Sequence, residues 1–166
     1  MSAAVSSAAA AAGWYFPPDP GAAATSTIGG NIACNAAGPH ALRYGTTGDH
    51  LTGLTVVLAD GSIERLGDDG DGGGGNLMRL LVGSEGTLGV ITEATLRLIP
   101  QPEARVTLAA LFPSAGSAQE AVAEMAAARL LPSAFEFMDA AALAAVANSG
   151  VHGGPLEGVL LQARQG

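Results

Sequence analysis

Apolar and polar residues alternate from Val90 to Ile99, with Ile91, Glu93, Thr95, Arg97 and Ile99 on one side and Val90, Thr92, Ala94, Leu96 and Leu98 on the other. A period of two predicts one long strand with a single buried face. Leu51 to Leu58 is a second strand, with Thr55-Val56-Val57-Leu58 as its strongest piece. Ala59-Asp60-Gly61-Ser62 places Asp-Gly at the centre of a hairpin turn, and Ile63 to Leu66 pairs back. Helical signals lie between and before these strands. The Ala/Ser-rich residues 2–12 predict a helix closed by Gly13, and read equally as a disordered or truncated edge. Gly29 to Ala37 predicts a short helix stopped by Gly38-Pro39, and Tyr44 to Asp49 a polar loop. Leu77 to Leu81 is a short amphipathic helix with Asn76 as its N-cap.

Pro100-Gln101-Pro102 is the clearest boundary, because the pattern changes after it. Arg105 to Phe112 predicts a strand, and Ser117 to Leu131 a helix with Ala121, Val122, Met125 and Leu130 on its apolar side. Ser133 to Met138 is a strand, Ala140 to Asn148 a helix and Gly158 to Ala163 a strand. That βαβαβ run opens a separate α+β unit.

Two segments stand out from this pattern: Thr27-Ile28-Gly29-Gly30-Asn31 and Gly83-Ser84-Glu85-Gly86-Thr87-Leu88-Gly89. Each sets glycines and small hydroxyl residues beside an apolar run. Bare amide N–H groups at such bends can cradle phosphate or the polar edge of a ring system. A nucleotide-type cofactor is therefore expected, held from two sides. The aromatic cluster Trp14-Tyr15-Phe16 runs into Pro17-Pro18-Asp19-Pro20-Gly21. It reads either as core or as a rigid wall for a flat ligand.

Composition narrows the function classes. The chain has 166 residues and a net charge of -8, and none of its seven basic residues is Lys. That excludes the basic stripe of a nucleic-acid reader. Aromatics make up only 4% of residues, so Ala, Leu, Val and Ile must fill the core. No apolar run is long enough for a membrane span. Cys34, the only cysteine, cannot form an internal disulfide, and a reducing, cytoplasmic setting is expected.

Other chemistry is weaker. His40, His50 and His152 lack ligand spacing, and the Asp/Gly stretch from Gly67 to Gly75 lacks the alternating acids and closing Glu of a calcium loop, so no metal is expected. Gly83-Ser84-Glu85-Gly86 does not have the spacing of a hydrolase elbow. No Gly-x-Gly-x-x-Gly stands between a strand and a helix. Glu136 and Asp139 could exchange protons, but Asp139 reads better as a helix N-cap. Arg43 and Arg79 pair with phosphate or with surface carboxylates.

Taken together, Phe16 to Pro20, Thr27 to Ala33 with Asn35, Tyr44-Gly45 through Asp49, Val56 to Gly61, Val82 through Pro100 and Pro132 to Asp139 resemble the FAD-linked oxidases of the vanillyl-alcohol-oxidase type. The similarity is to the glycolate oxidase flavoprotein subunit and D-lactate dehydrogenase branch. The resemblance implies an α+β chain: the second half of a PCMH-type FAD-binding domain followed by the start of a ferredoxin-like βαβ cap. Residues 1–13 would be a terminal helix or edge, 14–100 the partial FAD domain and 101–166 the incomplete cap.

Pro18, Asp19 and Pro20 would sit near the flavin ring, and Thr27, Ile28, Gly29, Gly30, Asn31 and Asn35 along its phosphate and ribityl region. Gly83, Ser84, Glu85, Gly86, Gly89 and Ile91 would meet the adenosine side. The implied reaction oxidises a 2-hydroxy acid of glycolate or D-lactate type to the 2-keto acid and passes electrons to a further acceptor, with other subunits of a glycolate oxidase complex as partners. The family's first FAD subdomain, with its phosphate loop, and the later cap half, with its histidine-bearing motif, are not among these residues. The chain is therefore expected to be an internal piece that alone binds FAD weakly or not at all and has no turnover.

Overall fold

The computed structural model describes residues 1–67, 74–148 and 159–165. Contacts divide the chain into two compact units, Met1–Gln101 and Pro102–Gly166.

In the first unit, helix α1 (Ser2–Ala11) leads into the short strand β1 (Trp14–Tyr15). Helix α2 (Ile28–Ala33), helix α3 (Ala41–Tyr44) and a 3-10 turn (Thr47–His50) follow. Strands β2 (Leu51–Val57) and β3 (Ile63–Gly67) form the expected hairpin, with Asp60 Oδ1 accepting from the Ser62 N–H at 2.9 Å inside the turn. Helix α4 (Gly74–Leu81), strand β4 (Val90–Leu96) and strand β5 (Ile99–Pro100) complete the unit. The sheet order is β3-β2-β4, antiparallel throughout, while β5 pairs with β1. Ile32, Leu51, Leu54, Val56 and Leu81 form the buried core between the sheet and helices α2 and α4.

Two bulges decide which residues reach that core. Opposite Leu96 and Thr95, β2 inserts Thr52 between Leu51 and Gly53; opposite Thr55 and Val56, β4 inserts Thr92 between Glu93 and Ile91. Each extra residue reverses the alternation beyond it. Leu51 and Leu54, three residues apart, thus share a face, and Ile91 joins Ala94 and Leu96 against the core while Val90 stays 65% exposed. The strict alternation expected from Val90 to Ile99 is broken here. Each bulged threonine donates its hydroxyl across the strand pair, Thr52 to Thr95 O and Thr92 to Thr55 O, both at 3.2 Å.

Other departures are local. The strand ends at Leu96, and β5 turns away to meet β1. Helix α2 ends at Ala33, four residues short of the expected Ala37, because Asn35 takes a left-handed conformation with φ 46°. The segment read as a loop from Tyr44 to Asp49 contains the end of α3 and the 3-10 turn, whose Thr46 and Asp49 cap each other. Helix α4 starts at Gly74, so Asn76 lies inside it and is not its cap.

The second unit holds β6 (Ala104–Ala110), α5 (Ala115–Ala127), β7 (Ala134–Glu136), α6 (Ala140–Asn148) and β8 (Val159–Gln165). β8 lies between β6 and β7 and runs antiparallel to both. This is the split βαβ arrangement of a ferredoxin-like unit, in line with the expected α+β class. Helix α5 stops four residues before the expected Leu131, where Arg129 adopts φ 56°. Asp139 caps α6, its Oδ1 accepting from the Ala142 N–H at 2.7 Å. Most of the Gly67–Gly75 stretch, and His152, lie outside the described residues.

Candidate functional site

The two glycine bends lie side by side. The first opens with Thr27 in extended conformation, its hydroxyl accepting the Gly30 N–H at 3.0 Å and its carbonyl the Asn31 N–H at 2.9 Å. The amides of Ile28 and Gly29 lie in the same first turn of α2, where no intrahelical acceptor exists. No described residue accepts from either. The second bend is wound by three left-handed residues, Gly83 (φ 78°), Glu85 (φ 54°) and Gly86 (φ 78°). A residue with a Cβ is strained in that conformation, which accounts for the glycines.

Long-range hydrogen bonds join the bends. Gly83 N–H donates to Ile32 O at 3.0 Å and Glu85 N–H to Ala33 O at 2.8 Å. A Cβ on Gly29 would meet Ile91 O at 3.5 Å, so β4 passes directly beside the first turn of α2. At Gly89 a Cβ would lie 2.6 Å from Val56 Cγ2 and 2.9 Å from Val57 O, so only glycine lets the second bend enter β4 against β2. The bends thus meet through α2 and the start of β4. Their open amides fit phosphate or a polar ring edge, and the glycines leave the approach clear.

The remaining expected residues divide. Asn35 links the bends to the 3-10 turn, since its Oδ1 accepts the Gly48 N–H at 2.9 Å and its Cβ lies beside Gly83. Asn31 is buried, and its side-chain amide donates to Ser2 Oγ at 2.8 Å, tying α2 to the start of α1. Ser84 O accepts both the N–H and the hydroxyl of Thr87, which fixes the second bend internally. Pro18 is buried, and Asp19 Oδ2 lies 2.6 Å from Nδ1 of buried His40. The Tyr15 hydroxyl sits 3.3 Å from the same nitrogen. This cluster anchors the Pro17–Pro20 segment to His40.

A hollow of about 810 Å³ opens between the 3-10 turn, α4 and the end of β4. Asn35 lines it, together with Arg43, Arg79 and Arg97. Asp49, also in the lining, has its carboxyl held below the ordinary carboxylate range. The main cause is the hydrogen bond from the Thr46 amide, then that from the Thr46 hydroxyl, with smaller help from the charges of His50 and Arg79. Sequence reasoning singled out Arg43 and Arg79 and set His50 aside as a metal ligand, but missed Arg97 and Thr46. Arg97 was hidden inside the alternating strand pattern, and Thr46 lay in a segment read as loop.

Comparison with known proteins places this geometry. The FAD binding domain family matches residues 2–67, and the C-terminal domain family of FAD linked oxidases matches residues 101–161. The glycolate oxidase subunit GlcD of Bacillus subtilis is 47% identical over 122 residues, 72% of this chain and 26% of that protein. A D-lactate dehydrogenase of Archaeoglobus fulgidus is 48% identical over 122 residues, 72% of this chain and 27% of that protein. The chain thus spans about a quarter of the length of these relatives. A solved alkyldihydroxyacetonephosphate synthase shares the fold with a TM-score of 0.74 at 22% identity, covering 99% of this chain and 33% of that one. No helix among the described residues is long and apolar enough to cross a membrane.

Proposed function

Because the chain belongs to the FAD-linked oxidases, we propose that residues 14–100 supply one side of a flavin site, that residues 101–166 open a substrate domain, and that the whole protein oxidises a 2-hydroxy acid to the 2-keto acid. The observation that supports this reading is the hydrogen bonding of the second glycine bend to the end of α2, the helix that the first bend opens. FAD held at this site would supply the acceptor for a hydride from the carbon that bears the substrate hydroxyl.

This chain's residues bind and orient. The amides of Ile28 and Gly29 in the first bend, and the exposed turn at Gly86 in the second, serve phosphate and the polar edge of the nucleotide. Asn35 and Gly89 hold the bends in register. The Asp19–His40 pair fixes the Pro18–Pro20 wall expected near the ring. The proposal includes a glycolate or D-lactate type substrate, which the names of the relatives support, and extends to a separate electron acceptor and further subunits.

A second reading rests on the chain spanning about a quarter of its relatives: a non-catalytic piece that needs a partner to complete the flavin site. One experiment tests both. The absorbance spectrum of added FAD is recorded with the 166-residue chain and with the chain fused to the flanking segments of the Bacillus relative. The chain alone is expected to perturb the flavin band weakly or not at all and to show no turnover. The fusion is expected to hold FAD and reduce an artificial acceptor with glycolate or D-lactate. Tight stoichiometric FAD on the chain alone overturns the second reading; a fusion that folds yet ignores FAD overturns the first.

A further inference from the structure

We propose that Ser2 is a positioning residue for the first glycine bend: its buried hydroxyl braces the bend from behind and so sets the geometry that the flavin nucleotide meets. This role rests on the flavin reading and deepens it.

Ser2 is 3% exposed and Asn31 is 5% exposed. The side-chain amide of Asn31 donates to Ser2 Oγ at 2.8 Å. The same oxygen lies 2.9 Å from Ser26 Oγ and 3.2 Å from Ser26 O. Ser26 stands directly before Thr27, and Asn31 is the last residue of the bend. One hydroxyl, on a different helix, therefore closes the segment from Ser26 to Asn31 at both ends. Within that closure Thr27 accepts the Gly30 N–H on its hydroxyl and the Asn31 N–H on its carbonyl. The bend is thus held locally by Thr27 and over 24 to 29 residues of chain by Ser2.

The backbone of α1 makes the same attachment. The first amides of a helix have no acceptor inside it. In α1 the Ser2 N–H donates to Ser26 O at 2.9 Å and the Ala3 N–H to Ala23 O at 3.1 Å. Helix α1 thus docks end-on against the segment that leads into the bend. A buried hydroxyl adds little net stability, because its desolvation offsets much of what its hydrogen bonds return. A buried hydrogen-bonded network instead fixes one arrangement, since any slip leaves a polar atom unpaired. An apolar contact between α1 and α2 would hold the helices together yet tolerate sliding. Amides that meet nucleotide oxygens need donor–acceptor distances near 3 Å, and so about that precision in the bend. Asn31 serves the bend from behind, with its amide committed to Ser2.

Three substitutions separate the hydroxyl from packing. Ser2→Ala leaves the Asn31 amide buried without its acceptor, Ser2→Thr keeps a hydroxyl, and Ser2→Val matches Thr in shape without one. Amide exchange in the 166-residue chain is followed by NMR. Exchange at Gly30 and Asn31 is expected to be about tenfold faster in Ser2→Ala and Ser2→Val than in Ser2→Thr, with Leu54 and Val56 of β2 unchanged. FAD affinity is read by flavin fluorescence in the fusion that carries the flanking segments of the Bacillus relative. It is expected to fall about tenfold in Ser2→Ala and Ser2→Val and to stay within about threefold of wild type in Ser2→Thr. Exchange that rises equally throughout the unit signals a general loss of stability and overturns the positioning role. Equal FAD affinity in Ser2→Thr and Ser2→Val overturns it as well. A wild-type fusion that folds yet ignores FAD overturns the flavin reading, and this role with it. A wild-type fusion that binds FAD beside a Ser2→Ala variant of unchanged affinity overturns this proposal alone.

Discussion

The two units use the same alphabet of small apolar residues to different effect. In the first, branched and long side chains from β2, α2 and α4 meet in one core, where Ile32 and Val56 are fully buried. In the second, the buried hydrophobic residues among those described are Ala118, Ala134 and Leu143, while Val106 and Leu108 on β6 remain 44% and 54% exposed. Alanine buries little area, and at about 25 cal/mol per Å² it contributes little to stability. The unit that holds the glycine bends thus has a core of long and branched side chains beneath its sheet. Bends meant to present amides within fractions of an ångström need a rigid support, and the bulged sheet supplies it.

The sharpest way to break this comparison is to open a cavity in each unit. Leu54→Ala removes a side chain that is 3% exposed at the centre of the sheet and is expected to destabilise the first unit by about 3 kcal/mol. Leu143→Ala, on α6, removes a side chain that is 7% exposed and is expected to cost less, about 2 kcal/mol. Calorimetry should resolve two transitions, the lower one moved by Leu143→Ala and the higher one by Leu54→Ala. A single transition shifted equally by both variants would contradict the contrast.

A smaller effect probes how the core places the site. Gly89→Ala pushes a Cβ into Val56 and the Val57 carbonyl, and is expected to cost about 2 kcal/mol. The strain should part β4 from β2, so faster hydrogen exchange at Val57 and Ile91, with α5 and α6 unchanged, is the signature. Unchanged exchange would show that the bend enters the sheet with room to spare.

The smallest expected effect is electrostatic. Asp49 has a lowered folded-state pKa, so its contribution to stability is present above the ordinary carboxylate range and is lost as pH falls through the folded value. Being exposed, it is worth under about 1 kcal/mol. The stability advantage of the wild type over Asp49→Asn should therefore hold from neutral pH down to about pH 4 and shrink below it. A difference that stays constant to about pH 3 would place the stabilisation elsewhere.

Much of this organisation was legible in the sequence. The β2–β3 hairpin was readable because Asp60-Gly61 is a local signal, and α6 and its Asp139 cap because capping acts within a few residues. The glycine bends were readable as bends because left-handed backbone at Gly83 and Gly86 selects glycine without reference to the rest of the fold. The family followed from combining these segments, confirmed by the matches over residues 2–67 and 101–161.

What escaped was set across strands and between distant segments. The bulges at Thr52 and Thr92 exist only as a mismatch between two strands, so no period within either one announces them. Helix α2 stopped early because Asn35 turned left-handed to reach Gly48, a partner 13 residues away. The convergence of Arg43, Arg79 and Arg97 likewise joins three separate stretches of chain. Local chemistry written along the chain determined which elements form and where the backbone can bend. Only the tertiary structure decided which side chains face inward, that the two bends meet, and that sparse positive charge gathers in one hollow, because each depends on register and long-range closure rather than on any neighbour in sequence.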